Sequence, residues 1–179
     1  MAGYVGYGVM ESPIGSLLIA STEQGLCFIE FGTGDAALLS LERWCKRWGL
    51  KRKEGAHSDC NRQVIRQLKQ YFDGSRQTFD LPLDLYGTPF QKKVWSELLN
   101  IPYGEVRSYK DVALAIGAAR AVRAIGGANN QNPIPVVIPC HRVIGSNGAL
   151  VGYGGGLSIK ESLLRLEGYL PQNGTAAGA

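Results

Sequence analysis

Residues 108–129 read Ser108-Tyr109-Lys110-Asp111-Val112-Ala113-Leu114-Ala115-Ile116-Gly117-Ala118-Ala119-Arg120-Ala121-Val122-Arg123-Ala124-Ile125-Gly126-Gly127-Ala128-Asn129, and they predict two helices joined by a short turn. Ser108 can cap the first helix, Val112, Ala113 and Ile116 form its apolar face, and Gly117 ends it. The second runs from about Ala118 to Asn129. Val122 and Ile125 lie on the side that meets a core, which leaves Arg120, Arg123, Ala124 and Gly127 along the opposite side at helical spacing. The pair is a helix-turn-helix. Its second helix is built almost wholly from alanine, glycine and arginine, although an interior glycine costs about 0.5–1 kcal/mol relative to alanine. Something must approach this helix closely. The two candidates are the DNA minor groove, about 6 Å wide, and a neighbouring strand or helix.

Downstream, the Pro-rich approach Asn132-Pro133-Ile134-Pro135-Val136-Val137-Ile138 leads into Pro139-Cys140-His141-Arg142-Val143, followed by the loop Gly152-Tyr153-Gly154-Gly155-Gly156. This is the pattern of a reactive thiol on a rigid frame, since an imidazole and a carboxylate are the usual means of making thiolate available at neutral pH. The dipeptide alone is weak, because adjacent side chains in extended backbone point to opposite faces and many cysteines are buried small hydrophobes. The glycine loop lacks the Gly-Lys-Ser/Thr of a phosphate loop and the spacing of a dinucleotide fingerprint, so no nucleotide cofactor is expected. Ser158-Ile159-Lys160-Glu161 reads as a capping box. It opens a helix that buries Leu163, Leu164 and Leu166 and ends at Gly168. Taken alone, Glu167 is a surface glutamate and Asn132 a turn residue before proline.

Upstream, Thr88-Pro89-Phe90-Gln91 is a second capping box, with Phe90, Val94, Leu98 and Leu99 on one face. The first third reads as strands and then helices. Tyr4 to Met10, Ser16 to Ser21 and Gly25 to Phe31 are β-favouring runs between turn signals, and they predict a small antiparallel sheet. Helices follow over Asp35 to Trp48 and from a cap at Asp59 through Phe72, stopping at Gly74. Lys51-Arg52-Lys53 between them reads as a solvated loop. Residues 75–88 form a connection with one extended stretch from Thr78 to Leu83. The expected architecture is α/β (α+β): a sheet-and-helix domain over 1–84, a mainly helical domain with the helix-turn-helix over 85–170, and a flexible tail over 171–179.

The 179 residues, 45% hydrophobic and 19% charged, are ordinary globular composition. The net charge of +4 is unevenly placed. Residues 1–85 carry ten Lys+Arg against ten Asp+Glu, and residues 86–179 carry nine against five, so the excess lies with the cysteine motif and suits a polyanionic partner. No apolar run approaches the ~20 residues that span a bilayer, and the start of the chain lacks the pattern of a signal peptide, so an intracellular protein is expected, with no membrane partner. Cys27, Cys45, Cys60 and Cys140 are irregularly spaced, which argues for free thiols. Together with His57, the first three show no ligand pairing typical of zinc, so no metal is expected.

The segment from about Thr88 to Gly168 resembles the O6-alkylguanine-DNA alkyltransferase family, whose motif Pro-Cys-His-Arg-Val stands at 139–143 without substitution. Arg123-Ala124-Ile125-Gly126-Gly127-Ala128, Asn132-Pro133 and the glycine loop carry the resemblance further. It implies a ribonuclease H-like first domain and a single-use transferase for double-stranded DNA containing O6-alkylguanine, with O4-alkylthymine left open. Cys140 would be the acceptor, His141 its base through a water, Glu167 the group that orients the imidazole, and Tyr109 the donor to guanine N3. The helix with Arg120, Arg123, Ala124 and Gly127 would enter the minor groove, Arg123 taking the flipped nucleotide's place, with Ser108 and Tyr109 at the backbone. Asn132 would be a hinge tying that helix to the cysteine. Val143, Tyr153, Gly154 and Gly155 would form the base pocket, the Cys140 and Val143 carbonyls accepting the exocyclic amine. A monomer is expected, with cooperative assembly along DNA left open. The other readings are a damage-sensing protein that does not react and a thiol hydrolase.

Overall fold

The β-favouring runs at the start of the chain pair into a sheet of order β3-β2-β1-β4. β1 (Tyr4–Ser12), β2 (Gly15–Thr22) and β3 (Gly25–Phe31) form the expected antiparallel meander. The computed structural model describes residues 3–171, and the chain divides into two compact units between Tyr86 and Gly87. From residue 172 onward, the expected tail lies outside the described residues.

In the first unit the central strand β2 is buried continuously from Leu17 to Thr22 because both of its faces are covered. Leu18 and Ala20 join Val5, Cys27, Leu41 and Cys45 under α1 (Asp35–Arg47). α2 (Ser58–Phe72) packs on β1 and β2 through an apolar stripe of Val64, Leu68 and Tyr71. Gly6 is required: a Cβ there would stand 1.5 Å from the Ala56 carbonyl oxygen.

Local readings change here. Lys51–Arg52 is not loop but β4, pairing parallel with β1 at Tyr4 and Val5; its side chains are exposed, as suits an edge strand. Thr78 to Leu83 forms no strand, only a bridge from Leu83 to Leu26. Asp59 does not cap α2. The helix begins at Ser58 after His57 in the left-handed region (φ 54), and Asp59, in its first turn, pairs with Arg62.

The second unit contains α3 (Pro89–Leu98), β5 (Arg107–Ser108), α4 (Tyr109–Ala115), α5 (Val122–Asn130), a 3₁₀ turn at Cys140–Arg142, β6 (Val143–Ile144) and α6 (Leu157–Leu166). Both halves of the Thr88 capping box are formed. Leu99 is exposed, and Trp95 fills the core beside Val94 and Leu98. Its indole Nε1–H donates to the Ala128 carbonyl at 2.8 Å, tying α3 to α5. β5 and β6 are parallel, so the short ladder brings the start of α4 to the end of the cysteine turn.

The second helix of the helix-turn-helix is shorter than expected. Residues 118–121 are a turn, which places Arg120 ahead of the helix, and Val122 is exposed, leaving Ile125, Ala128 and Asn129 as the buried face. α6 likewise starts at Leu157 with Gly156 at the cap position, so Ser158 caps nothing. Its hydroxyl-bearing neighbour one turn on, Ser162, donates to the Ser158 carbonyl. Glu161 pairs instead with Arg165.

Candidate active site

Two prolines and an asparagine shape the approach to Cys140. Asn132 accepts from the Ile134 N–H at 2.9 Å and donates to the Ile138 carbonyl at 2.9 Å, closing the loop upon itself. Val136 is held at φ 74, an unusual conformation for a β-branched residue and a local cost of about 1–3 kcal/mol. The chain then enters the 3₁₀ turn, with Cys140, His141 and Arg142 all buried. The Cys140 carbonyl faces the Asn129 side-chain amide at 3.4 Å. Asn129 therefore links the end of α5 to the cysteine, while Asn132 holds the loop between them.

Burial raises the Cys140 thiol to about 11, although the Asn132 side chain, Lys160 and the backbone N–H groups of Cys140 and His141 pull the other way. The thiol is therefore protonated at neutral pH and needs a base. His141 lies beside it in the chain, fully buried, with Nε2 2.8 Å from Glu167 Oε2. Burial acts to raise the Glu167 carboxyl, but hydrogen bonds and charge from His141 and Arg142 bring it down to about 2. An ionised carboxylate only accepts, so Nε2 carries the proton. Burial lowers the His141 pKa more than Glu167 restores it, so the ring is neutral. Nδ1 is then a bare lone pair, buried with no hydrogen-bond partner among the described residues. That is the electronic state of a general base.

Arg142, part of the motif but assigned no role from sequence, grips the carboxylate. Its Nε and Nη2 donate to Glu167 Oε1 and Oε2 at 2.8 and 2.9 Å, Nη1 donates to the Ile101 carbonyl at 2.7 Å, and the guanidinium lies 5.8 Å from the Tyr103 ring centroid. Glu167 is thus buried, contrary to its reading as a surface residue, because helix α6 ends where two cationic or polar partners converge.

Tyr109, the first residue of α4, donates its hydroxyl to the Val151 carbonyl at 3.0 Å. Burial, and the Cys140 thiolate once it forms, raise its pKa, so it keeps its proton. Burial raises the Tyr153 phenol well above its ordinary value, with Cys140 and Glu167 adding to the effect; both tyrosines lie within electrostatic reach of the thiol. Val143 is buried, and its carbonyl accepts from Lys160 Nζ at 2.5 Å. Gly152 takes a positive φ of 61, and a Cβ there would meet the Tyr109 hydroxyl at 3.3 Å. Gly154 is exposed and Gly155 partly buried in the turn that follows.

On α5, Arg123, Ala124 and Gly127 are exposed along one face. A Cβ built on Gly126 or Gly127 meets nothing within 4 Å, so no neighbouring element of the described chain requires these glycines. Ser108 is engaged as the cap of α4: its Oγ accepts from the Asp111 N–H at 3.0 Å while its own N–H donates to Asp111 Oδ2 at 2.9 Å.

A family model described as "6-O-methylguanine DNA methyltransferase, DNA binding domain" matches residues 89–169, and one described as the ribonuclease-like domain of the same proteins matches residues 5–85. The chain belongs to the 6-O-methylguanine DNA methyltransferase family. Over 161 residues it is 48% identical to a methylated-DNA--protein-cysteine methyltransferase of Methanosarcina barkeri, covering 90% of this chain and 96% of that one. The constitutive methyltransferase of Bacillus subtilis is 44% identical over 164 residues, with 90% and 94% coverage. Among solved structures, Mycobacterium tuberculosis OGT in complex with DNA is similar, with a TM-score of 0.75, 41% identity and 92% of each chain covered. The mixed α/β architecture expected from the methyltransferase resemblance is therefore the family's own.

Asn129, Arg142 and Lys160 are the residues that sequence reading missed. For Asn129 the signal was a short polar side chain on the face of α5 that also carries Ile125. For Lys160 there was none, since a lysine in an amphipathic helix reads as a solvated charge.

Proposed function

We propose that this chain repairs DNA by direct reversal of damage, moving the alkyl group of O6-alkylguanine onto its own Cys140, as a methylated-DNA--[protein]-cysteine S-methyltransferase. The observation that carries the reading is the buried pair His141 and Glu167, fixed in the tautomer that leaves Nδ1 basic on the residue next in the chain to a thiol that needs deprotonation. α5 enters the minor groove of double-stranded DNA. A helix of about 10–12 Å diameter with ordinary side chains does not fit a groove about 6 Å wide, and the open Ala124 and Gly127 face lets it press in. The damaged nucleotide leaves the stack, because a buried thiol cannot reach its alkyl carbon inside a duplex. Arg123 fills the vacated place.

The thiol proton passes through a water to His141 Nδ1, and Sγ attacks the alkyl carbon in line with guanine O6. The S–C bond forms as the C–O bond breaks, and its electron pair stays with the purine. Tyr109 turns from Val151 to give N3 a proton, so guanine leaves neutral, and the proton taken up by His141 returns through water to the tyrosinate. One alkyl group is exchanged for one proton, and no cofactor is consumed. Tyr153 stacks on the base, the Gly154 and Gly155 segment walls it, and the Cys140 and Val143 carbonyls accept its exocyclic amine, the long Asn129 contact to Cys140 giving way. Asn132 acts as the hinge. A thioether is a poor leaving group, so each molecule acts once.

The transfer and DNA-binding work lies within 85–170, and 1–84 is a structural domain. Among the described residues no helix is long and apolar enough to cross a membrane. Four free cysteines and a DNA substrate point to an intracellular, nucleoid- or nucleus-associated protein.

The test is intact mass after incubation with a duplex containing one O6-methylguanine. One methyl on the Cys140 peptide, saturating at one per molecule and absent in Cys140→Ala, is expected. Tight binding without mass gain would make this a damage sensor, and neither would overturn the reading.

A further inference from the structure

Lys160 is completely buried, an unusual state for a lysine. Its ammonium has three N–H donors, and three backbone carbonyls receive them: Val143 at 2.5 Å, Val151 at 2.8 Å and Gly152 at 3.3 Å. Val143 belongs to β6, directly after the cysteine turn, and Val151 and Gly152 open the glycine loop. The Val151 carbonyl is shared. It also accepts the Tyr109 hydroxyl at 3.0 Å.

We propose that Lys160 is a positioning residue for alkyl transfer, holding the floor and wall of the base pocket in one register and, through the Val151 carbonyl, setting where the Tyr109 hydroxyl stands before a base arrives. This rests on the function proposed above. Four of the five residues 152–156 are glycine, so Tyr153 alone gives the loop a packed side chain, and a donor placed about 1 Å away can cost about a hundredfold in rate. A single ammonium with three fixed acceptors supplies the missing constraint. Because Lys160 engages one lone pair of the Val151 oxygen, Tyr109 keeps a single acceptor direction there, from which it can turn to the purine. Burial lowers the lysine's pKa to about 8, against the opposing pull of Cys140, so at neutral pH it remains mostly charged, with all three donors.

The experiment is single-turnover methyl transfer from a duplex containing one O6-methylguanine, with protein concentration varied to separate the limiting rate from half-saturation. Wild type, Lys160→Met, Tyr109→Phe and the double variant are compared, and binding to unmodified duplex is measured for each. Lys160→Met is expected to lower the limiting rate at least about tenfold, with binding to unmodified duplex changed less than twofold. In the Tyr109→Phe background the same substitution is expected to cost less than about threefold, because Lys160 acts partly through Tyr109. A role confined to stability would show equal losses in both backgrounds and would overturn the proposal, as would a wild-type limiting rate in Lys160→Met. If the Met variant does not fold, Lys160→Gln, which keeps two donors without charge, is put through the same comparison. Failure of wild type to accept a methyl group would instead refute the underlying function.

Discussion

Glu167 Oε2 lies 2.8 Å from His141 Nε2 and 2.9 Å from Arg142 Nη2, so one carboxylate oxygen orients the imidazole while the guanidinium holds that oxygen still. The arrangement decides the proton inventory of the site: the carboxylate is ionised, the ring is neutral, and its free nitrogen is Nδ1.

Glu167→Gln keeps the shape but presents an amide that can donate to Nε2, which favours the other tautomer. The rate of methyl transfer to Cys140 should fall at least about a hundredfold, since reversing a histidine tautomer by such a change is severe in other triads. Arg142 also loses a buried partner, so stability should drop by about 3 kcal/mol or more. Single-turnover kinetics and urea unfolding check both, and a wild-type rate would mean that Glu167 does not set the tautomer.

Acid should unfold the protein in two stages of one sign. Glu167 titrates near 2 in the fold against an ordinary value of 4.5, so its carboxylate contributes on the order of 3 kcal/mol above pH ~5, lost as the pH falls toward 2. The His141 pKa is lowered by burial, and protonation of the unfolded chain therefore erodes stability from about pH 6.5 downward. Urea midpoints between pH 8 and 4 should decline, and the decline should be shallower in His141→Phe. A flat profile would contradict both assignments.

Gly127→Ala should stabilise the fold by about 0.5–1 kcal/mol, because the new methyl meets nothing within 4 Å and alanine is the better helix former. Gly127→Leu should fold as well, yet weaken binding to duplex DNA at least about tenfold by blocking the close approach of α5. Thermal melts with fluorescence anisotropy on a labelled duplex measure the two effects. Unchanged affinity in the leucine variant would remove α5 from the groove.

Trp95→Phe deletes the indole N–H that serves the Ala128 carbonyl, a bond 2.8 Å long inside the core. The Ala128 carbonyl keeps the Gln131 N–H at 3.2 Å, so the loss is that of one buried hydrogen bond and should cost about 0.5–1.5 kcal/mol. Chemical denaturation should show the loss while Cys140 remains competent in folded molecules.

Thiol labelling should follow exposure and ionisation rather than nucleophilic role. Cys60 is partly exposed, whereas Cys27, Cys45 and Cys140 are buried, with Cys27 and Cys140 pushed strongly upward by burial. Iodoacetamide at pH 7.5 should modify Cys60 first, as peptide mapping would show, and Cys140 should label faster toward pH 10. Rapid labelling of Cys140 at neutral pH would mean that its thiol is already ionised without substrate.

Local sequence determined much of this protein. Strands β1 to β3, the Thr88 and Ser108 capping boxes, the stop at Gly117, the exposed Arg123, Ala124 and Gly127 face and the thiol-imidazole dipeptide are properties of neighbouring residues, and short-range stereochemistry is enough to specify them. What failed locally had weak signals: Asp59 and Ser158 resemble caps, but the chain reached a helical start one residue earlier in each case, and Lys51–Arg52 became a strand only because β1 offered a free edge. Tertiary structure alone decided the chemistry of the site. Glu167 and Lys160 look like solvated charges on helical sequence, and each becomes buried because partners distant in the chain converge on it: Arg142 and His141 on the carboxylate, the carbonyls of Val143, Val151 and Gly152 on the ammonium. Burial, and the charges and dipoles that compensate it, set which groups hold protons, and those quantities depend on three-dimensional neighbours rather than on spacing along the chain.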